Sequence, residues 1–280
     1  MFKDSIDTLN NMAVSKKKQL ETSKLRYFLS ACLAGAYVGI GIILILSIGA
    51  PLAAQSSAVT TLVMGLSFGI ALTLVIFAGS ELFTGNNMVF TVSTLSGKTT
   101  WKDLVQNWIW CYAGNFVGTA ALCGLIIGAG VLNGISSGHL LFTLAEKKTS
   151  LGSSELFFRG ILCNWLVCLA IWTAIRTKND VAKLILIFWM LFTFIASGYE
   201  HSIANMTVLG LAMFYSGGEV VTLGGYLHNI IPVTLGNIVG GGLFVGSIYW
   251  LLNTSKRNKQ SEKQSNESFR ASPIRSAKSL

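Results

Sequence analysis

The sequence predicts an all-α membrane protein: six transmembrane helices, arranged as two inverted three-helix repeats, with the second and fifth helices broken. Three observations predict it. Hydrophobic residues make up 52% of the 280 and charged residues 12%, about half the charged share of an average soluble domain. Six apolar stretches are long enough for a bilayer that needs roughly 20 residues per helix. A motif inside the second stretch returns inside the fifth.

The stretches are Tyr27 to Ile48, Leu62 to Leu95, Asn107 to Val131, Leu156 to Ile175, Leu184 to Phe214 and Leu227 to Leu252. The run from Phe28 to Gln55 carries no charge at all. With both termini on one side, that side holds 18 of the 21 Lys and Arg residues. Lys147, Lys148 and Arg159 remain opposite, so both ends are expected in the cytoplasm. The net charge of +9 is explained by this topology. The bases flank spans and form no stripe interleaved with aromatics, so no nucleic-acid partner is expected.

The chain divides into an N-terminal segment (1–26), a six-span domain (27–252) and a basic tail (253–280). In the first segment Ile6, Leu9, Met12 and Ala13 recur at helical spacing, which predicts an amphipathic helix along the cytoplasmic interface, either a surface anchor or a gate. This start is not expected to be a cleavable signal, because polar residues precede a span too long for an h-region. The tail is rich in Ser, Lys and Arg and is expected to be disordered, touching anionic headgroups.

The five cysteines lie in apolar stretches without C-x-x-C spacing and read as packing residues, with no disulfide framework, metal site or cofactor indicated. Gly65-Leu66-Ser67-Phe68-Gly69 matches G-x-S-x-G, but that motif marks a nucleophile only on a strand-to-helix elbow. Here it lies in an apolar helix, so Ser67 reads as packing and no enzyme is expected.

Gly79-Ser80-Glu81 is followed by Asn86, and 119 residues later Gly198-Tyr199-Glu200 is followed by Asn205. Asn107, Gly114-Asn115, Val117 and Gly118 recur as Asn229, Gly236-Asn237, Val239 and Gly240. The chain therefore reads as a duplicated three-span unit. Three being odd, the second copy enters the membrane from the other side, and the two breaks face each other near the midplane. Freed backbone survives there only where it is buried in protein or lines a wet cavity, which predicts a polar passage. Gly35 with Gly39 and Gly242 with Gly246 read as helix packing. Glu81 and Glu200 are assigned to hold the breaks by accepting hydrogen bonds from exposed backbone N–H groups. His201, at the fifth-span break, reads as a relay or ligand.

Phe77 to Gly85 (FAGSELFTG), Asn164 to Ala170 (NWLVCLA) and Ala196 to Met206 (ASGYEHSIANM) resemble the signature segments of the formate/nitrite transporter family, over about Tyr27 to Leu252 and nearest its nitrite-channel branch. The resemblance implies an aquaporin-like homopentamer of six-span protomers in a prokaryotic plasma membrane, each with its own pore for a small weak-acid anion and a proton, nitrite foremost with formate or hydrosulfide as the alternative. It implies His201 as the central histidine with Thr84 and Asn164 as hydrogen-bonding neighbours, and Lys148 as the lysine that attracts the anion. It places Phe68, Leu72 and Phe194 at a cytoplasmic slit and Leu82, Phe83 and Val167 at an outer one. The N-terminal segment departs from the formate-channel pattern by lacking its Pro-containing stretch. A neutral-solute pore is the alternative class, although the N-P-A signature is absent.

Overall fold

The computed structural model describes residues 2–253. The predicted tail, apart from Asn253, lies outside the described residues. Ten helices follow in order: α1 (Lys3–Thr22), α2 (Lys24–Ala54), α3 (Thr60–Gly79), α4 (Phe83–Leu95), α5 (Trp101–Gly128), α6 (Leu140–Ser150), α7 (Ser153–Ala174), α8 (Asp180–Ala196), α9 (Ser202–Tyr215) and α10 (Leu223–Asn253). Among the described residues, α2, α3, α5, α7 and α10 are each long and apolar enough to cross a membrane. The predicted second stretch is α3 plus α4 and the predicted fifth is α8 plus α9, each split where the repeated motif sits.

Helices begin a few residues before the apolar stretches do, because polar caps set their ends. The Ser23 side chain accepts from the Arg26 N–H ahead of α2. Thr100 and Asp103 form a reciprocal capping box ahead of α5, and Thr222 caps α10. Between the third and fourth apolar stretches lies a further element, α6. It is a helix of 11 residues, capped by His139 and carrying Lys147 and Lys148 in its last turn, cations placed where the macrodipole favours them.

Two crossings organise the bundle: α2 against α5, and α7 against α10. Both are backbone-to-backbone contacts. A Cβ on Gly118 would run into the Cys32 carbonyl oxygen, and one on Gly236 would run into that of Phe157. Small residues at these points let the helices meet without side chains between them, as membrane helices do. Gly246 lies against α4 in the same way, near the Met88 carbonyl. Outward faces carry Leu29, Ile109, Leu125, Phe158, Trp189 and Leu243, all exposed. Such a surface needs a hydrocarbon solvent or a neighbouring subunit.

The amphipathic N-terminal helix exists, but its apolar face meets protein. Ile6, Leu9 and Ala13 are buried with Met88, Val89 and Phe90 of α4 and Trp172 of α7. The Arg176 guanidinium lies over the Phe2 ring, 5.4 Å from its centroid, and donates to the Ser5 hydroxyl at 3.2 Å. Lys17 pairs with Asp103 at 2.9 Å, and that hydrogen bond holds the Lys17 ammonium above its ordinary pKa. All five cysteines are free thiols. Ser67 donates to the Val63 carbonyl of its own helix, so it occupies no nucleophile elbow.

Candidate functional site

At the first break Gly79 takes φ +77°, a left-handed conformation that side chains disfavour, and the chain runs extended at Ser80 and Leu82. At the second, Gly198 takes φ +68° and His201 is extended. Each break frees backbone groups in the interior, where an unpaired one is costly. One asparagine answers each. Asn115 accepts from the Phe83 N–H at 2.9 Å and donates to the carbonyls of Ala31 and Glu81, both at 2.8 Å. Asn237 accepts from the Ser202 N–H at 2.9 Å and donates to the carbonyls of Gly160 at 2.8 Å and Glu200 at 3.0 Å. Both asparagines belong to the repeated motif, but sequence reading gave them no task and gave the backbone N–H groups to Glu81 and Glu200.

Those carboxylates bind side chains instead. Glu81 accepts from Lys16 at 2.6 Å to each oxygen, from Asn86 at 3.0 Å and from the Tyr27 hydroxyl at 3.2 Å. Glu200 accepts from Lys148 at 3.0 and 2.9 Å and from Asn205. Asn205 also donates to Asn229, which in turn donates to the Lys148 carbonyl. A lysine, a glutamate and an asparagine thus recur at both breaks. Lys16 was missed because its partner lies 65 residues away, and α1 gives no sign that it reaches the interior.

His201 stands at the N-terminus of α9, where its Nδ1 accepts from the Ala204 N–H at 3.2 Å. With Nδ1 occupied as an acceptor, a neutral ring carries its proton on Nε2 and donates to the Thr84 hydroxyl, 3.0 Å away. Phe194 stacks on the imidazole, ring centres 6.1 Å apart and planes 19° from parallel. Asn164 does not hydrogen-bond the imidazole. It donates to the Thr84 carbonyl at 3.0 Å, the Asn87 side chain at 3.1 Å and the Asn237 carbonyl at 2.6 Å. It fixes Thr84, and Thr84 meets the histidine.

Three cavities lie in series here. One of about 360 Å³ sits under α1, with Thr8, Met12, Lys16 and Leu82 in its wall. A constriction of about 10 Å³ follows, walled by Phe68, Leu72, Leu82, Val167, Phe194 and His201 among others. Beyond it a vestibule of about 100 Å³ is walled by Lys147, Lys148, Arg159, Glu200, Phe194 and His201. Leu82 borders the first two spaces, while Phe194 and His201 border the last two. The constriction is at the lower limit for a single water, and among its wall residues only His201 has a polar side chain.

Five of the six predicted slit residues meet at this one constriction. Phe83 turns away and packs on Tyr112, ring centres 4.9 Å apart, and on Trp108. Val38, Ala71 and Leu191 complete the wall and were not singled out. Their types carry no signal in an apolar helix, so only their position reveals them. Phe68 and Phe194 meet edge to face at 5.5 Å.

Broken helices around an apolar constriction between two charged spaces define a helical membrane transport protein. The chain belongs to the formate/nitrite transporter family, whose model matches residues 6–251. The nitrite transporter NirC of Escherichia coli (strain K12) is 45% identical over 264 residues, covering 92% of this chain and 95% of that one. A probable formate transporter of Methanothermobacter thermautotrophicus is 33% identical over 266 residues, covering 89% and 96%. A solved structure titled FNT family ion channel superposes with a TM-score of 0.85 at 43% identity, covering 90% of this chain and 99% of that one. A pentameric formate channel with formate bound superposes with a TM-score of 0.70 at 30% identity, covering 84% and 99%. The chain is therefore a multi-pass, all-α membrane transport protein closely related to the NirC branch, and not an enzyme.

Proposed function

We propose that the protein is a channel or transporter for small monovalent weak-acid anions, nitrite foremost, and that passage is linked to a proton at His201. The observation that carries the reading is the position of His201, which borders both the charged vestibule and the constriction. A bare anion entering a 10 Å³ apolar space loses its hydration, which costs several kcal/mol or more. Protonated, the same solute enters as a small neutral acid and that cost falls away. His201 with the Thr84 hydroxyl is the hydrogen-bonding pair at the threshold, suited to deliver or collect that proton.

Two inverted three-helix repeats with an aquaporin-like plan account for the matching hydrogen bonds of Asn115 and Asn237. On this reading both termini face the cytoplasm of a prokaryote, α1 covers the cytoplasmic cavity and the 100 Å³ vestibule opens outside. Assembly as a homopentamer with one pore per protomer is supported by the likeness to the pentameric formate channel. Formate and hydrosulfide share the solute chemistry, and the NirC relatives favour nitrite.

The test is flux into liposomes holding the purified protein, with nitrite, formate and hydrosulfide compared under imposed pH gradients. Proton-coupled flux with nitrite the fastest supports the reading. Uptake of none of the three, alongside rapid glycerol swelling, would replace it with a neutral-solute pore.

A further inference from the structure

The vestibule beside His201 is walled by three cations, Lys147, Lys148 and Arg159, against one carboxylate, Glu200. These cations are not equivalent. Lys148 donates to both oxygens of Glu200, and their side chains are only 17% and 5% exposed. Its charge is offset at contact distance by a partner that Asn205 also holds. The same lysine–glutamate–asparagine arrangement joins Lys16, Glu81 and Asn86 at the other break, with lysine and glutamate side chains 15% and 9% exposed. A device found at both breaks belongs to the breaks, not to one vestibule.

Arg159 is partly committed as well. It donates to the Gly198 carbonyl at 2.9 Å and pairs with Glu155 on its own helix. Lys147 is exposed, and among the described residues its ammonium has no ion-pair partner and no hydrogen-bond acceptor. From the last turn of α6 it adds an uncompensated charge to the vestibule wall.

We infer that Lys147, assisted by Arg159, is the cation that recruits the anion, and that Lys148 acts as the structural counter-ion of Glu200. The inference rests on the anion-transport reading above and names the recruiting residue within it. Attraction by an exposed charge acts at long range and is screened by salt, whereas a contact-paired charge presents to the solute little more than a dipole.

The test is initial anion flux against concentration in liposomes of purified protein, using whichever of nitrite, formate or hydrosulfide the wild type carries. Ionic strengths of about 0.01 M and 0.15 M bring the Debye length from roughly 30 Å to roughly 8 Å. Lys147→Gln is expected to raise the apparent KM about threefold to tenfold at the lower ionic strength, with maximal flux close to wild type and the gap narrowing in salt. Lys147→Arg restores the wild-type KM. Lys148→Gln lowers the unfolding temperature and the maximal flux but keeps the wild-type salt dependence of KM. If Lys148→Gln fails to fold, the Lys147 variants decide alone. Wild-type KM and salt dependence in Lys147→Gln would overturn the inference while leaving the transport reading intact. A wild type that carries none of the three anions overturns the transport reading itself.

Discussion

His201 and Thr84 meet between the two helix breaks, the imidazole Nε2 3.0 Å from the threonine hydroxyl, although 117 residues separate them in sequence. Thr84 opens α4 just past the first break, and His201 caps α9 just past the second. The two interruptions thus deliver one side chain each to a single point. The same geometry fixes what should happen when the parts around it are changed.

Asn115 and Asn237 stitch the breaks. Removing one leaves a backbone N–H and two carbonyls without their amide partner, at about 1–3 kcal/mol for each buried unsatisfied group. Asn237→Leu and Asn115→Leu should each lower the unfolding temperature of the purified protein markedly and reduce flux. Equal stability of the leucine variants and wild type in a thermal melt would show that the breaks have other support.

The Lys16–Glu81 pair ties α1 to the first break. Lys16→Met leaves a carboxylate with 9% side-chain exposure and no counter-charge, a change worth about 3–5 kcal/mol in buried pairs. The double variant Lys16→Met/Glu81→Leu should recover part of that loss, because no charge is then stranded. Thermal unfolding of the two variants side by side gives the answer, and a double variant less stable than Lys16→Met would count against this assignment.

Gly118 and Gly236 are sites of backbone contact. Gly118→Ala and Gly236→Ala force a methyl group onto a carbonyl oxygen and should cost at least the 1–3 kcal/mol typical of overpacking (roughly). Gly124→Ala, with nothing within 4 Å of its added Cβ, should match wild type or exceed its stability by up to about 1 kcal/mol, because alanine favours a helix interior over glycine. Yield and melting temperature of the three proteins would tell the two classes apart.

How much of this was legible beforehand depends on what kind of signal each residue carries. Breaks at Gly79 and Gly198 were visible because glycine, glutamate and asparagine are conspicuous in apolar stretches and recur in order. His201 stood out because an ionisable ring at mid-span is expensive. The roles of Asn115 and Asn237 were not assigned even though the repeat contains both, since the choice between stitching backbone and binding solute depends on which carbonyls come near. Lys16 and helix α6 escaped for another reason. Lys16 sits among the basic residues of an otherwise ordinary surface helix, and α6 is short, with apolar residues mainly at its start. Phe83 was placed at a slit by the family resemblance, but Leu82 is the extended residue ahead of α4 and Phe83 is the first residue of that helix, so the two side chains leave the backbone in different directions. Leu82 therefore reaches the constriction while Phe83 reaches Tyr112.

Phe194 closes the constriction between Phe68 and His201. Phe194→Ala should widen it enough to admit water, so that a charged solute no longer has to be neutralised to pass. Osmotic swelling with glycerol should become measurable, and anion flux should depend less on pH. Stopped-flow light scattering would detect the change, and swelling no faster than wild type would mean that the narrow point lies elsewhere.

The account stands or falls on the imidazole of His201. His201→Asn is the most direct probe, because an asparagine side chain can still cap α9 by accepting from the Ala204 N–H while offering no titrating ring. The measurement is initial nitrite uptake into liposomes as a function of pH, wild type against this variant. The account predicts that the variant folds with a melting temperature near wild type, that its uptake falls at least about tenfold, as expected for loss of a positioned acid–base group, and that its proton coupling disappears. Undiminished uptake with the wild-type pH dependence would contradict it.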